Sequence, residues 1–574
     1  MNTIEWLYFF LIINLLIGLS SWKLFKISGK NAFISIIPFY NILNTLDIIK
    51  RPRWWIILVF LPTINLLMIP VIWIEFIKRF NHSTKKDICL MLFSLGFYTF
   101  YINYFSKKKV YIDSEISTSG FEKSLGSFVF AIVVATIVHN YFIQPFVIPT
   151  GSLEKTLRVG DFLFVSKFHY GARVPQTVIS LPLVHDTIPL IKSRSYLKKP
   201  QLPYLRLPGF QKIKQNDLVV FNWPADTVRK FFVKEKGVIK PIDKKSNYVK
   251  RTVGIPGDNF EIKDGILYIN GKENILPDRA KPLLNFKIYS NEGVSSSKLI
   301  NLGINNFYRK YIIDISNQST NSINKLLPYL LSYSQGQENN KLIVITDNKG
   351  IPIDLVRSLN LNIVESIEKE KDLKLTYDEL KKMELEGGYD SIVRLIQNSK
   401  SYNTIYFPNN INFNWNNDNF GPIQIPKEGQ SVNINLDNLP IYKKIIQEYE
   451  NNNLEIINKK IYINQKESTS YTFKMDYYWM MGDNRYNSED SRVWGFVPFD
   501  HVLGKPVFIW MSIDGLFEGI GNWKIRWDRV FTTVGLDGKP TSYFPHFIAF
   551  IIVWQLYLFI IRRKKNKSTS DHLT

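Results

Sequence analysis

Apolar residues fall in long runs near the two ends of the chain and in short alternating runs through its middle. Glu5 to Trp22 is apolar, with one acid and no basic start. Asn31 to Ile49 is apolar but interrupted by Pro38, and Lys50-Arg-Pro-Arg53 follows it. Trp54 to Ile77 carries Pro62 and Pro70 within its run, and Ile88 to Phe105 is a further run. Ser124 to Val147 holds no charged residue. As a helix it is long enough to cross the roughly 30 Å hydrocarbon core of a bilayer. Tyr543 to Ile561 is the last such run. A cleavable leader needs a basic start and a small-residue cleavage site, so Glu5–Trp22 reads as a retained membrane helix.

Basic clusters orient membrane helices, because loops rich in lysine and arginine stay in the cytoplasm. Lys107-Lys-Lys109 precedes the Ser124–Val147 run, and Arg562-Arg-Lys-Lys565 follows the last one. Both clusters place Gly151 to Ser542 on the opposite, extracytoplasmic side. Within that segment the pattern is mainly that of strands. Asp161–Ser166 and Leu218–Phe221 are short β-rich runs bounded by turn residues. Asn259 to Glu273 reads as a hairpin turning at Asp264-Gly265, and Asn453 to Glu467 aligns with it without gaps. Phe307 to about Ser401 mixes strand-like runs (Lys341–Thr346) with helix-like ones (Tyr377–Gln397), as a small α+β subdomain does. The Asn-rich loop Asn409–Asn419 is expected in solvent.

The expected fold class is thus a polytopic α-helical membrane region plus a mainly-β extracytoplasmic domain with an α+β insert. The expected divisions are an N-terminal membrane domain (1–105), a cytoplasmic linker (106–123) and a transmembrane helix (124–147). A β core (148–285 and 406–535) follows, interrupted by the insert (286–405), then a C-terminal transmembrane helix (543–561) and a basic cytoplasmic tail (562–574). A length of 574 residues independently requires several cores.

The formal net charge of +22 invites a nucleic-acid reading. Lysine, isoleucine and asparagine are abundant throughout, however, and part of the charge flanks apolar runs. No zinc-finger spacing, basic zipper or aromatic–basic RNA-binding motif accompanies it, so no nucleic-acid partner is expected. The single cysteine, Cys89, sits in an apolar run and rules out an intramolecular disulfide and a cysteine-based metal site. No metal or cofactor is expected.

Pro149 and Gly151 break any helix just outside the Ser124–Val147 run and set a tight turn with Ser152 at its tip. A serine hydroxyl is a weak nucleophile without a base. Of the seven histidines, His82, His139 and His546 lie in or beside apolar runs and His572 lies in the tail. His169, His185 and His501 carry no recognisable motif. A lysine can act instead if burial lowers its pKa by roughly 2–3 units. In a strand over Tyr248–Gly254, Lys250 and Thr252 share one face while Val249 and Arg251 share the other. Arg251 is then expected to reach solvent while Lys250 points inward. Lysines are seldom buried, so by residue type alone Lys250 reads as solvated.

Four ordered motifs change that balance. They are Ile148-Pro-Thr-Gly-Ser152 with Thr156-Leu157 and Val159-Gly-Asp161; Asp217–Pro224; Tyr248–Asp258; and Met481–Pro498. Together they resemble bacterial signal peptidase I, the membrane-bound leader peptidase, over about a tenth of the chain. The apolar runs before Ser124 resemble a small membrane domain that precedes the peptidase in some members. The resemblance implies Ser152 as nucleophile and Lys250 as general base. It implies an oxyanion hole from the Ser152 N–H and the Thr150 hydroxyl. It implies that Ser488 hydrogen-bonds the lysine, that Asp490 and Arg492 form a supporting ion pair, and that Ile148 and Val249 line a shallow pocket for small side chains. Asp483, Asn484 and Arg485 read as structural. Two departures stand beside the serine: Leu153 replaces a methionine and Lys155 replaces a frequent proline.

The implied activity is endoproteolytic removal of signal peptides from exported preproteins. The implied place is the outer face of a bacterial cytoplasmic membrane. The implied partners are preproteins, the lipid bilayer and the secretion translocon. One alternative is a catalytically inactive relative that binds preproteins or acts as a membrane scaffold. Another is a Ser/Lys self-cleaving regulator, whose DNA-binding half has no counterpart here. Trp510 to Phe531, with Trp523, Trp527, Lys524, Arg526 and Arg529, fits a membrane-interface segment and an ordinary strand pair equally well.

Overall fold

The computed structural model describes all residues except 1–2, 115, 117–118, 227–238, 317, 319, 337–339, 399–402 and 572–574. His572 lies outside the described residues. Three of the described helices are long and apolar enough to cross a membrane: Ile4–Ile27, Gly120–Phe142 and Phe544–Arg563. The other apolar runs break into short pieces. Trp55–Phe60 and Asn65–Lys78 replace the 54–77 run, parted where Pro62 adjoins Thr63 at φ 71°. Lys85–Phe93 and Tyr98–Tyr104 replace the 88–105 run, parted at Gly96. Gly96 has φ 91°, and a Cβ there would lie 2.8 Å from the Trp73 ring, so only glycine turns the chain at that point. These pieces hold 6 to 14 residues, short of the about 20 that span a bilayer. They pack on one another and on the end of the first helix, burying Leu24, Phe25, Leu46, Phe76, Phe80 and Met91.

The helix expected to run to Val147 ends earlier. Its last turn widens over Val138–Phe142, and Ile143–Val147 is a strand. Pro145 has no N–H to give a helix, whereas it fits the edge of a sheet. That strand opens an antiparallel sheet in the order Ile143–Val147, Asp161–Ser166, Val502–Asp514, Leu218–Asn222, Asn247–Gly254, Tyr477–Met481, Val497–Pro498. This long apolar helix therefore passes directly into the sheet.

The two matching sequences fold alike. Asn259–Lys263, Ile266–Ile269 and Lys272–Glu273 pair in the same register as Leu454–Ile457, Lys460–Ile463 and Lys466–Glu467. Both hairpins turn through two positive-φ residues, Asp264-Gly265 (47° and 71°) and Asn458-Lys459 (49° and 62°), as a tight type I′ turn requires. In each, an asparagine side chain accepts from the first N–H: Asn270 from Asn259 at 2.8 Å and Asn464 from Asn453 at 2.9 Å. The two units share one core through Phe260, Ile262, Leu454 and Ile461.

The insert mixes helices and strands. It holds a four-stranded sheet (Ser332–Gln335, Lys341–Thr346, Arg309–Asp314, Asn362–Glu365) and a three-stranded one (Glu370–Leu375, Leu284–Tyr289, Ser391–Arg394). The helix expected over Tyr377–Gln397 covers only Tyr377–Glu386. Gly387 and Gly388, at φ 70° and 81°, stop it, and the following residues enter a strand. The second half of the Asn409–Asn419 loop is not in solvent: Asn416, Asn417 and Asp418 are buried. The Trp510–Phe531 segment divides. Trp510 stacks against Phe164 within the sheet, while Trp523 and Trp527 are exposed, Trp527 lying 5.4 Å from Phe544 at the start of the last apolar helix.

Candidate active site

Ser152 sits in a single tight turn, Gly151–Leu153, entered from the extended Thr150. The turn is held from both sides. Leu153 and Leu157 are buried beneath it among Leu163, Val165 and Val220. Above it, the backbone N–H of Asn484 donates to the Ser152 carbonyl at 3.0 Å and the Asn484 side chain donates to the Gly151 carbonyl at 3.0 Å. The approach is close because residue 482 is glycine. A Cβ there would overlap the Ser488 hydroxyl and lie 2.6 Å from the Ser152 carbonyl oxygen.

Lys250 lies on the central strand Asn247–Gly254 and is 1% exposed. Its ammonium donates to the Ser488 hydroxyl at 3.0 Å and lies 5.6 Å from the centre of the Tyr248 ring. Burial pushes its pKa down to about 8, against the pull of Asp490, which raises it. Asp490 is fully buried; burial alone would raise its pKa, but Arg492 more than offsets this and holds it below the usual carboxylate value. The pair is bidentate, Nε to Oδ1 at 2.9 Å and a terminal nitrogen to Oδ2 at 2.7 Å. Asp490 also accepts the Gly482 N–H at 3.0 Å, and Arg492 donates to Asn417 and, at 2.8 Å, to the Arg485 carbonyl.

Arg251 does not reach solvent. The other face of its strand is also covered, and the guanidinium binds Asp483 through two bonds of 2.8 and 2.6 Å. Asp483 accepts in addition from the Thr156 hydroxyl at 2.6 Å. One carboxylate therefore ties together the serine, lysine and last motifs. A buried charge demands such partners.

Ser152, Lys250 and Ser488 line one cleft of about 860 Å³, together with Thr150, Ile148 and Val249. That volume lies within the range of ligand sites and suits a stretch of extended peptide. Neither the Ser152 nor the Thr150 hydroxyl forms a hydrogen bond with protein among the described residues, so both remain open to a substrate. None of the described histidines lines this cleft. His169 bonds the Ser166 hydroxyl at 2.5 Å, and His185 the Lys245 carbonyl at 3.0 Å. His501 is held between Asp500 at 2.6 Å and Lys245 at 3.1 Å.

Two features escaped the sequence reading. The lining of the cleft also includes Gln397, Ile405, Tyr406 and Asn417, from the insert and the loop after it. Lys155, three residues past Ser152, pairs with Glu379 of the insert helix at 2.9 Å. No local pattern signals either, because both depend on contacts far apart in sequence. Lys155 has φ 73°, which a proline ring cannot adopt. Lys155→Pro is therefore expected to destabilise the protein by more than about 1 kcal/mol and to slow turnover. Thermal unfolding and cleavage rates check this; an unaltered Lys155→Pro protein would contradict the observed turn.

The sequence matches the family described as signal peptidase, peptidase S26, over residues 122–302 and 424–511. This chain carries a peptidase S26 domain. The gap between the two matched segments falls over most of the insert and the loop that closes the cleft. Residues 33–114 match a separate family of unknown function. Among curated relatives, the signal peptidase I of Rickettsia massiliae is 32% identical over 149 residues, which is 26% of this chain and 42% of the relative. The chain thus aligns with less than half the length of that relative. The signal peptidase I of Buchnera aphidicola from Acyrthosiphon pisum is 24% identical over 420 residues, 72% of this chain and 81% of the relative. A second Buchnera signal peptidase I, from Schizaphis graminum, is 25% identical over 69% of this chain.

Proposed function

We propose that this chain is a signal peptidase that removes signal peptides from exported preproteins with a Ser152–Lys250 dyad. The observation that carries the reading is a lysine 1% exposed, in one cleft with a serine on a pinned turn. The S26 match and the names of the relatives support it. A neutral Lys250 takes the Ser152 proton as the hydroxyl oxygen attacks the scissile carbonyl carbon. The negative oxygen is received by the Ser152 N–H and the Thr150 hydroxyl, donors of a kind each worth about 3–4 kcal/mol. Collapse breaks the C–N bond, and Lys250 returns the proton to the leaving amine. The base then activates the water that hydrolyses the Ser152 ester. Ser488 orients Lys250, and Asp490 with Arg492 fixes the loop bearing Ser488. Ile148 and Val249 leave room for small side chains before the cleaved bond, since larger ones would clash.

The membrane placement we infer is multi-pass, in a bacterial cytoplasmic membrane, with the cleft outside. The Trp6 indole bonds the Gln201 carbonyl at 2.9 Å, which sets the start of the first long helix on the side of the β domain. Lys78 pairs with Glu122 at 2.7 Å near the opposite end of the second, on the side of Lys107-Lys-Lys109. This agrees with basic loops remaining in the cytoplasm. External protease on intact spheroplasts is expected to digest the 151–542 segment; full protection would reverse the orientation. Lipid around the three apolar helices and the secretion translocon are the partners this placement calls for. The activity itself is tested by incubating a preprotein with the detergent-solubilised chain. Cleavage at the signal-peptide junction is expected, with none from Ser152→Ala; equal cleavage by the variant removes the assignment.

A further inference from the structure

A second cavity, of about 110 Å³, lies apart from the Ser152 cleft at the junction of membrane helix and β domain. His139 and Asn140 reach it from the helix end, Gln144 from the first strand, and Thr63 from the N-terminal helices. Three cations line it and all are buried: Lys167 at 6% exposure, Arg173 at 6% and Lys244 at 8%.

The charge there is not balanced. The one carboxylate lining the cavity, Asp243, acts on Arg173 and Lys244 and accepts from the Thr177 N–H at 3.0 Å and its hydroxyl at 2.7 Å, which leaves three cations to one anion. Arg173 donates to neutral acceptors, the Asp500 carbonyl at 2.7 Å and the Asn222 side chain at 2.6 Å. Lys244 donates to the Ser180 hydroxyl at 2.6 Å. Lys167 forms no side-chain hydrogen bond or ion pair among the described residues, although an ammonium carries three donors. Burial, aided by Arg173, lowers its pKa to about 7. Uncompensated buried charge is costly, and a guanidinium beside ammoniums is the donor set that suits tetrahedral oxyanions.

We propose that this cavity binds a phosphate group through Lys167, Arg173 and Lys244. The group comes from a phospholipid headgroup or from free phosphate. The lipid source rests on the membrane placement above, which sets the end of the helix bearing His139 at headgroup depth. Neither source depends on the peptidase assignment.

The test uses the full chain in phosphatidylcholine nanodiscs at constant ionic strength, followed by thermal unfolding. Inorganic phosphate is titrated in one arm, and phosphatidylglycerol replaces part of the lipid in the other. One of the two is expected to raise the unfolding temperature of the wild type, and which one does so names the source. Lys167→Met is expected to need at least about tenfold more of that anion for the same shift. Without anion it should be no less stable, because an unpaired buried cation is gone. If Lys167→Met does not fold, Lys244→Gln, with the same expected loss, decides. No response to either anion in the wild type, or variants that respond as the wild type does, overturns the proposal.

Discussion

Lys250→Met is expected to abolish preprotein cleavage and to leave a protein at least as stable as the wild type at neutral pH. Methionine fills nearly the same volume but cannot accept a proton. The stability half follows from linkage. The folded pKa of Lys250, about 8, lies below its ordinary 10.5. The unfolded chain therefore binds that proton more tightly, and the native state is penalised wherever the unfolded lysine is charged. The penalty is absent above the unfolded value, grows as pH falls through the window between the two, and is complete below the folded one. Its full size is on the order of 3 kcal/mol, with the shift counted at 1.36 kcal/mol per unit. Lost contact with Ser488 takes back part of the gain. Thermal unfolding of wild type and variant at several pH values reads the difference directly. It is expected to favour the variant near neutrality and to shrink as pH approaches the unfolded value. A variant clearly less stable at neutral pH would mean that Lys250 is solvated in the native protein.

Asp490→Ala carries the largest expected loss of stability. It leaves Arg492, 1% exposed, without its carboxylate and takes the acceptor from the Gly482 N–H. Removing one partner of a buried ion pair costs about 3–5 kcal/mol. A second readout separates this from mere unfolding. Asp490 raises the pKa of Lys250, so whatever activity survives at low temperature should reach its plateau at a lower pH than in the wild type. A melting temperature within a degree or so of the wild type's, which a domain of this size allows only for small changes in stability, would show that the pair is not buried.

Much of the site was legible because its motifs are short and the chemistry demands particular residue types. Ser152, Lys250, Ser488, Asp490, Arg492, Ile148, Val249 and Thr150 were singled out from three of the four family-like stretches, and the fold brings those stretches together. What remained illegible depends on partners distant in the chain. Strand alternation put Arg251 opposite Lys250 correctly, but not the cover over that face, because Asp483 lies 232 residues away. Asn417 belongs to a loop whose composition suggests solvent, and the demand of Arg492 for an acceptor buries it. The pairing of Lys155 with Glu379 crosses from the serine turn to the insert.

The fold shows the same division. Apolar length located the three long helices. It did not separate the run ending in a strand at Ile143–Val147, where Pro145 decides, from one that stays helical. Nor did it show that the proline- and glycine-broken runs before Ser124 close on each other as short helices. The repeated hairpin was legible at both sites because its register is set locally by the turn.

The central claim is that a neutral Lys250 serves Ser152. It is tested most directly by initial rates of preprotein cleavage from about pH 6 to about pH 10, where kcat/KM reports the free enzyme. The wild type is compared with Lys250→Arg, which keeps the charge but stays protonated throughout. The account predicts a wild-type rate that rises to a plateau with an apparent pKa near about 8 and no cleavage by Lys250→Arg at any pH. A Lys250→Arg protein that cleaves with a similar profile would contradict it and place the base elsewhere.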